Sequence, residues 1–199
     1  MTAIIDYKAG NLTSVKLAFA ALGVETIVTS DPKAIAAADR VVFPGVGAAR
    51  SAMENLRSLG LVDAVKNAAA TKPFLGICLG MQILFDHSEE DGGVDCLGII
   101  PGRVRRFPSV PGFKVPEIGW KGVEGNGEWG PGNEGTGTKE FYFVHSYYAE
   151  VVPETAGVTE YAGVKFTAMA KKGRLWACQF HPEKSGRIGL ELIKEWLSC

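Results

Sequence analysis

Residues 73–82, "PFLGICLGMQ", place Cys78 between two glycines in a G-x-C-x-G pattern. The apolar run 73–77 is typical of a buried strand, and the helical pattern of residues 79–86 begins directly after the cysteine. In this pattern a nucleophile stands on a tight strand-to-helix turn, and flanking glycines relieve clashes with neighbouring backbone. The alternative is a small cysteine that fills the core, and the surrounding sequence has to separate the two.

Strands and helices alternate through the first half of the chain. Short β-branched runs predict strands, and apolar residues at helical spacing predict the helices between them. The predicted strands are residues 2–5, 25–29, 40–44 and 73–77, with helices at about 12–22, after Pro32 and through residue 70. This alternation predicts a parallel sheet that helices cover on both faces.

The second half of the chain changes character after residue 96. Strand-like segments separated by Gly and Pro turns dominate it, and residues 185–197 read as an amphipathic helix. The segment 122–138 holds seven glycines in 17 residues and is predicted to be a flexible surface hairpin tip. We predict one α/β domain over residues 1–199, with three layers, a central mostly parallel sheet flanked by helices, and added antiparallel strands in the C-terminal half.

Composition limits the classes of function. The 199 residues are 46% hydrophobic and 22% charged, with a formal net charge of -1, so no overall field favours nucleic acid or an anionic membrane. No apolar run approaches the ~18 residues of a membrane span, and charges interrupt the start where a secretory signal would be apolar. Four scattered cysteines without a C-x-x-C pair argue against disulfides or a zinc site, so we expect no metal and a cytoplasmic location.

A thiolate nucleophile needs a base, and the chain has three histidines. His87 lies in a polar segment, "FDHSEED", that reads as a helix end, and we expect it at the surface. His181 follows an apolar strand, and Glu183 can point to the same side and accept a hydrogen bond from the ring. Cys78, His181 and Glu183 thus form a candidate triad. The alternative is that "HPE" only caps the last helix, and both could hold.

An oxyanion hole would complete such a site. The backbone N–H of Leu79, directly after the nucleophile, is one predicted donor. The second donor comes from the Val46–Gly47 backbone in "PGVG", which leaves the third predicted strand. "GVGAAR" could instead be a dinucleotide loop, but Arg50 replaces its third glycine and the loop follows the third strand rather than the first.

Three motifs together resemble the class I (triad) glutamine amidotransferases, which hydrolyse glutamine to glutamate and ammonia. They are "PGVG" (44–47), "LGICLGMQILF" (75–85) and "QFHPEKS" (179–185). Four further blocks are similar to the glutaminase subunits of imidazole glycerol phosphate synthase: "DYKAGNLTSVKLAFAALG" (6–23), "VPEIGW" (115–120), "FYFVHSYY" (141–148) and "HPEKSGRIGLELIKEWL" (181–197). The resemblance covers nearly the whole chain and implies the flavodoxin-like fold of that family.

The resemblance also implies roles for individual residues. Cys78 is implied as the nucleophile, His181 as the acid and base, and Glu183 as the residue that orients the ring. Gln82, one helical turn after the nucleophile, matches a position that holds the glutamine side of the substrate. His145, Ser146 and Tyr147 match the segment that grips the α-amino and α-carboxylate end. No cofactor is implied.

A partner subunit follows from the same resemblance. In this family the chain forms a heterodimer with a cyclase subunit, a (βα)8 barrel, which receives the ammonia and makes imidazole glycerol phosphate and AICAR for histidine biosynthesis. Asn11, Trp120 and Lys184 are implied at or near the partner surface. An exposed aromatic anchor and a charge suit such an interface.

The chain departs from the family pattern in two loops near the partner surface. Lys8 stands where the family's D-Y-G-x-G-N motif has its first glycine. The family's P-H-M-G-W-N block carries Glu117, Ile118 and Lys121 here. These changes bear on docking and on how the partner signals to the site, not on the triad.

Two other functions remain open at this point. One is an amidotransferase subunit that serves a different synthase, against which the "DYKAGN" and "FVHSYY" blocks argue. The other is a non-catalytic flavodoxin-like binding module, against which the intact set of Cys78, His181 and Glu183 argues.

Overall fold

The computed structural model of the protein describes residues 1–125 and 138–199. The first half contains β1 (Thr2–Ile5), α1 (Leu12–Ala21), β2 (Thr26–Thr29), α2 (Pro32–Ala37), β3 (Arg40–Gly45), α3 (Ala49–Ser58), α4 (Val62–Thr71), β4 (Phe74–Cys78) and α5 (Leu79–Gln82). The second half contains β5 (His87–Ser88), β6 (Val94–Asp95), β7 (Arg103–Arg106), β8 (Glu117–Gly125), β9 (Lys139–His145), β10 (Tyr147–Ala149), β11 (Thr155–Tyr161), β12 (Val164–Lys172), β13 (Leu175–Cys178) and α6 (Gly186–Trp196). The hairpin tip predicted within 122–138 lies, from residue 126 to 137, outside the described residues.

The strands form one mixed sheet in the order β2-β1-β3-β4-β13-β12-β10-β7-β5-β6. The first five of these strands are parallel to one another. From β13 onward, β12, β10 and β7 pair antiparallel, and β11, β8 and β9 extend from β12 as a second antiparallel arm. The predicted sheet, with its parallel part first and its antiparallel part later, is confirmed.

Neighbouring residues of the parallel strands pack on opposite faces of the sheet. On one face, Ile5 and Phe43 join a buried cluster with α3 and α4. On the other face, Ile4 packs with α1 and α6, whose Phe19 and Trp196 rings have centroids 6.0 Å apart. Because both faces are covered, the strands are continuous apolar runs rather than alternating ones. The predicted three-layer arrangement is therefore present.

The helices are short, and two of them begin at side-chain caps. The Asn11 side chain accepts a hydrogen bond from the Ser14 N–H at 3.4 Å, and that of Asp31 accepts one from the Lys33 N–H at 2.9 Å. The longest helix, α6, has 11 residues. Across the described ranges, no helix combines the length and the apolar character that crossing a membrane requires.

The helix predicted over residues 79–86 is wrong in its length. α5 ends at Gln82, and the carbonyl groups of the next three residues accept hydrogen bonds from a distant segment instead of continuing the helix. Ile83 O accepts from the Leu97 N–H, and Phe85 O accepts from the Gly98 N–H, both at 2.9 Å. The helix is short because this long-range backbone pairing competes with it.

His87, predicted at a polar helix end, lies in the short strand β5 instead. Its side chain is partly exposed, and Nδ1 lies 2.9 Å from Asp95 Oδ1 on the neighbouring strand β6. The residue is therefore at the surface, as expected, although its local structure is a strand.

Candidate active site

Cys78 ends β4 in a backbone conformation that few side chains adopt. Its φ is 54° and its ψ is −114°, and α5 begins at the next residue. Positive φ strains a residue with a Cβ, and such strain is typical of positions where a side chain is held for chemistry. The geometry is the strand-to-helix turn that the G-x-C-x-G pattern predicts.

The two glycines of the pattern make room for this turn in different ways. A Cβ on Gly80 would lie 1.9 Å from the carbonyl oxygen of Phe43, so α5 can pack against β3 only with glycine there. A Cβ on Gly76 would lie 3.0 Å from Leu84 Cδ1, the end of a flexible side chain. Gly80 therefore avoids a backbone clash, whereas Gly76 mainly avoids crowding of side chains.

We expect Gly80→Ala to lower the free energy of unfolding by about 3 kcal/mol or more, because the new methyl group would force α5 away from β3. Gly76→Ala is the matched control in the same motif. It should lower the free energy of unfolding clearly less, since the Leu84 side chain can move aside. Urea unfolding followed by tryptophan fluorescence measures both variants. Equal losses in the two variants would contradict this packing argument.

His181 follows β13, and its ring lies beside Cys78. Nδ1 is 2.7 Å from Glu183 Oε1, and both side chains are buried. Nε2 is buried and faces Cys78, with no well-aligned hydrogen bond to any described residue. The backbone N–H of His181 donates to Tyr142 O at 2.9 Å, and the Ser185 hydroxyl donates to His181 O at 2.7 Å. The structure thus brings the three residues of the candidate triad together.

The electrostatic surroundings of His181 favour the protonated form of its ring. Burial by itself would lower the pKa of the ring, but the interactions with Cys78 and with Glu183 outweigh it and raise the pKa to about 10. The ring therefore holds its proton at neutral pH beside the sulfur. An imidazolium next to a thiolate is the arrangement that activates a cysteine nucleophile.

A cavity of about 290 Å³ opens at the carboxyl edge of the parallel strands, the edge where ligands bind in such sheets. Two stretches of its wall, Val46–Gly47 and Leu79, carry the backbone N–H groups predicted for the oxyanion hole. Ten of the residues singled out from the sequence line this one cavity: Val46, Gly47, Cys78, Leu79, Gln82, His145, Ser146, Tyr147, His181 and Lys184.

Two of the predicted substrate-binding side chains are occupied by contacts inside the protein. Gln82 Nε2 donates to Tyr147 O at 2.8 Å and to Gln179 Oε1 at 2.9 Å. His145 Nδ1 lies 2.7 Å from the same Tyr147 oxygen, and Nε2 lies 3.3 Å from Glu117 Oε2. The His145 imidazole therefore lies in the wall of the cavity, with Nδ1 beside a carbonyl oxygen and Nε2 facing a carboxylate.

Sequence reasoning missed the acidic residue of the cavity. Glu90 lines it, and Glu90 Oε2 accepts a hydrogen bond from the Ala49 N–H at 2.6 Å, at the start of α3. Burial raises the pKa of its carboxyl above the ordinary value. Arg50, which disfavoured a dinucleotide loop, instead donates to Asp91 O at 2.8 Å and so holds the Glu90 loop against α3. No pattern in a single sequence predicts that contact.

Gln179 is a second residue whose role the sequence did not reveal, although it opens the "QFHPEKS" motif. Its side chain is fully buried, and Nε2 lies 3.8 Å from Cys78 Sγ. Because Gln179 Oε1 accepts from Gln82, the amide joins α5 to the nucleophile. Within the described residues, no group of three His, Cys, Asp or Glu side chains is placed to hold a metal ion.

The residues predicted at the partner surface are exposed and lie on elements that are linked to one another by contacts. Trp120 is 52% exposed and contacts the Tyr142 ring, with centroids 6.1 Å apart. Tyr142 is tied through its backbone to His181 and Ser185, which flank the exposed Lys184. Helix α1, capped by Asn11, packs against the Pro182–Lys184 turn.

Lys8, the first departure from the family pattern, takes a backbone conformation that suits glycine. Its φ is 63°, and its N–H donates to Asp6 Oδ1 at 3.0 Å. The left-handed region costs a residue with a Cβ about 1 kcal/mol, which explains why a glycine fits this position.

Comparison with known proteins connects this geometry to a family. The glutamine amidotransferase class-I family matches residues 3–197. The imidazole glycerol phosphate synthase subunit HisH of Nitrosococcus oceani is 48% identical over 205 residues, covering 98% of this chain and 96% of the relative. The same subunit of Herpetosiphon aurantiacus is 46% identical over 202 residues, covering 99% and 93%. That of Methanothermobacter thermautotrophicus is 46% identical over 200 residues, covering 99% and 98%.

Solved structures share the fold at low sequence identity. A crystal structure of a glutamine amidotransferase has a TM-score of 0.74 at 18% identity, covering 98% of this chain and 97% of that chain. The PurLQS structure from Thermotoga maritima has a TM-score of 0.71 at 14% identity, covering 99% and 97%. These two likenesses show the fold, whereas the nearly full-length identities show the family. The chain belongs to the class I glutamine amidotransferases and, among them, to the HisH subunits of imidazole glycerol phosphate synthase.

Proposed function

We propose that this chain hydrolyses L-glutamine to glutamate and ammonia through Cys78, His181 and Glu183. It does so as the glutaminase subunit of an imidazole glycerol phosphate synthase in histidine biosynthesis. The observation that carries the proposal is Cys78 at positive φ beside the Glu183-bound ring of His181, on the wall of one cavity. Membership of the HisH family supports the choice of synthase.

The first half of the reaction forms a thioester. The Cys78 thiolate attacks the side-chain carbonyl carbon of glutamine, and a C–S bond forms as the carbonyl oxygen becomes an oxyanion. The Leu79 N–H and the Val46–Gly47 backbone donate to that oxyanion. The C–N bond then breaks, and the His181 imidazolium gives its proton to the leaving nitrogen, which departs as ammonia.

The second half regenerates the thiolate. Neutral His181 takes a proton from water, and the hydroxyl oxygen attacks the γ-glutamyl thioester. The C–S bond breaks, glutamate leaves, and Cys78 returns as thiolate beside the imidazolium. Glu183 keeps Nδ1 of the ring protonated and oriented through both halves.

The cavity also offers groups for the amino-acid end of glutamine. Glu90 provides a carboxylate for the α-ammonium group, and a charge-assisted hydrogen bond of this kind is among the stronger polar contacts. Ser146 and Tyr147 provide backbone and hydroxyl groups at the end of β9. Gln82 acts by holding the Tyr147 carbonyl in place.

The ammonia passes to a (βα)8 cyclase subunit bound at the surface that carries Asn11, Trp120 and Lys184. Trp120 supplies an exposed aromatic anchor, and Lys184 lies both at that surface and on the cavity wall. Contact with the partner would therefore reach the site directly. We place the reaction in the cytoplasm, where the four free cysteines stay reduced.

Glutamate production from glutamine tests the proposal, first with the chain alone and then with a matching cyclase subunit and its phosphoribulosyl substrate. We expect partner and ligand to raise the rate at least about tenfold, a normal size for coupling between two sites. A rate that the partner leaves unchanged would indicate a different synthase and remove the interface assignments. No glutamate under any condition, with Cys78 unreactive toward a glutamine-analogue electrophile, would indicate a non-catalytic module.

A further inference from the structure

Glu117 is a buried carboxylate that the proposed reaction does not use. It is the first residue of β8, is 1% exposed, and lies opposite His145 in the β8–β9 register. Its Oε2 is 3.3 Å from His145 Nε2, and its Oε1 is 3.8 Å from Lys121 Nζ. Neither oxygen makes a hydrogen bond to a described residue. A buried carboxylate is stabilised by charged or polar neighbours, so its contacts with Lys121 and His145 are energetically important.

The His145 ring is fixed by what surrounds it. Its Nδ1 lies 2.7 Å from the Tyr147 carbonyl oxygen, which can only accept, and its Nε2 faces the Glu117 carboxylate. Phe107, Phe143 and Phe166 surround the ring, with centroids 5.3 to 5.6 Å from its own. Because both ring nitrogens face oxygen acceptors and the faces of the ring contact aromatic side chains, Glu117 helps to set the orientation of His145.

Polar contacts continue from His145 to the nucleophile. The Tyr147 carbonyl that faces His145 also accepts from Gln82 Nε2 at 2.8 Å. The Gln82 amide donates to Gln179 Oε1 at 2.9 Å, and Gln179 Nε2 lies 3.8 Å from Cys78 Sγ. Tyr147 lines the cavity, so a turn of the His145 ring, which lies beside the Tyr147 carbonyl, would move part of the cavity wall.

In the other direction, Glu117 is joined to exposed side chains of the same strand. Ile118 is 62% exposed and Trp120 is 52% exposed, while Glu117 beside them points inward. Side chains alternate along a strand, so a shift of β8 that moves the exposed face also moves the buried carboxylate. Trp120 belongs to the surface proposed for the cyclase subunit.

We propose that Glu117 is a positioning residue for the glutamine site, which holds His145 and the Tyr147 carbonyl in place and links them to the exposed Ile118–Trp120 segment. The proposal rests on the proposed function, because the ligand it positions is glutamine. Glu117 does not touch the reacting atoms. Its effect falls on binding of the amino-acid end and not on the thiolate.

Steady-state kinetics of the complex with the cyclase subunit test this role. In Glu117→Gln the KM for glutamine should rise about tenfold, the size of one lost charge-assisted contact, with kcat within about twofold. The rate at which iodoacetamide alkylates Cys78 should not change. Glu124→Gln, an exposed carboxylate later in the same strand, is the matched control and should leave KM unchanged.

A double-mutant cycle with His145→Asn tests whether the two residues act together. If Glu117 acts through His145, the KM of the double variant should be no higher than that of the worse single variant. If the increases in KM of the two single variants multiply in the double variant, the proposal is overturned. An unchanged KM in Glu117→Gln would overturn it as well. If wild-type complex hydrolyses glutamine, either result rejects only the role of Glu117. If wild type makes no glutamate, the proposed function itself is rejected.

A measurement on the wild-type chain keeps the proposal testable if the variants do not fold. Long-range ¹H–¹⁵N spectra of the His145 ring should show a proton on Nε2, the nitrogen that faces the Glu117 carboxylate. A ring without a proton on Nε2 would overturn the pairing with Glu117. Thermal melting of each variant, recorded beside the kinetics, identifies those that are folded.

Discussion

Replacing Cys78 by alanine should reduce glutamine hydrolysis in the complex by at least about 10⁴-fold, because no other group can form the thioester. The sulfur lies at the end of β4, held at positive φ next to His181 and Gln179. Alanine fits the same backbone, so the fold and the contact with the cyclase subunit should persist. Glutamate release measured at saturating glutamine gives the loss.

A second buried cysteine provides the matched control. Cys178 lies at the end of the neighbouring strand β13, and burial raises the pKa of its thiol well above the ordinary value. Cys178→Ala should therefore keep hydrolysis, and iodoacetamide should label Cys78 and not Cys178. With added ammonium chloride, the Cys78→Ala complex should still make imidazole glycerol phosphate, since ammonia from solution replaces the missing product. Hydrolysis that survives in Cys78→Ala would reject the mechanism.

The parallel half of the fold is predictable because its signals are local. Ile4 and Ile5 are both apolar because they face opposite layers of helices. Continuous apolar runs of this kind are visible in the sequence. The length of α5 is not predictable in this way. The carbonyl groups just after α5 accept hydrogen bonds from Leu97 and Gly98, and nothing in the sequence of residues 79–86 indicates that pairing.

The candidate site likewise contains residues that the local sequence predicts and residues that it does not. Cys78, His181 and Glu183 were found from strand ends and short spacing, and the structure places them in contact. Glu90 comes from a loop that lines the cavity and is held to the first residue of α3 by a hydrogen bond. The His145 ring lies 3.3 Å from Glu117, its direct partner on the neighbouring strand β8. These features depend on contacts between distant segments, which one sequence does not contain.

Replacing His181 by asparagine should lower glutamine hydrolysis about 10³-fold, because the leaving nitrogen loses its proton donor and water loses its base. Asparagine keeps a polar group near Glu183, so the turn after β13 should remain folded. His87→Asn, at the partly exposed histidine of β5, is the control and should hydrolyse glutamine at the wild-type rate. A small loss in His181→Asn, equal to that of the control, would indicate that another group transfers the proton.

The protonation of His181 can be measured directly. The two groups that raise the pKa of its ring, Cys78 and Glu183, can be removed one at a time. The pKa of the ring is about 10 in the intact site, against an ordinary value of 6.5, since burial is outweighed by Cys78 and Glu183. NMR titration of the wild-type chain should therefore show an imidazolium through neutral pH, and hydrolysis should fall as the pH rises through about 10. In Cys78→Ala the pKa should move down, because burial remains while the interaction with the sulfur is lost. A wild-type ring that titrates at its ordinary pKa would mean that the thiolate and the imidazolium do not form a pair, and the thiol would then have to lose its proton to neutral His181 only when glutamine binds.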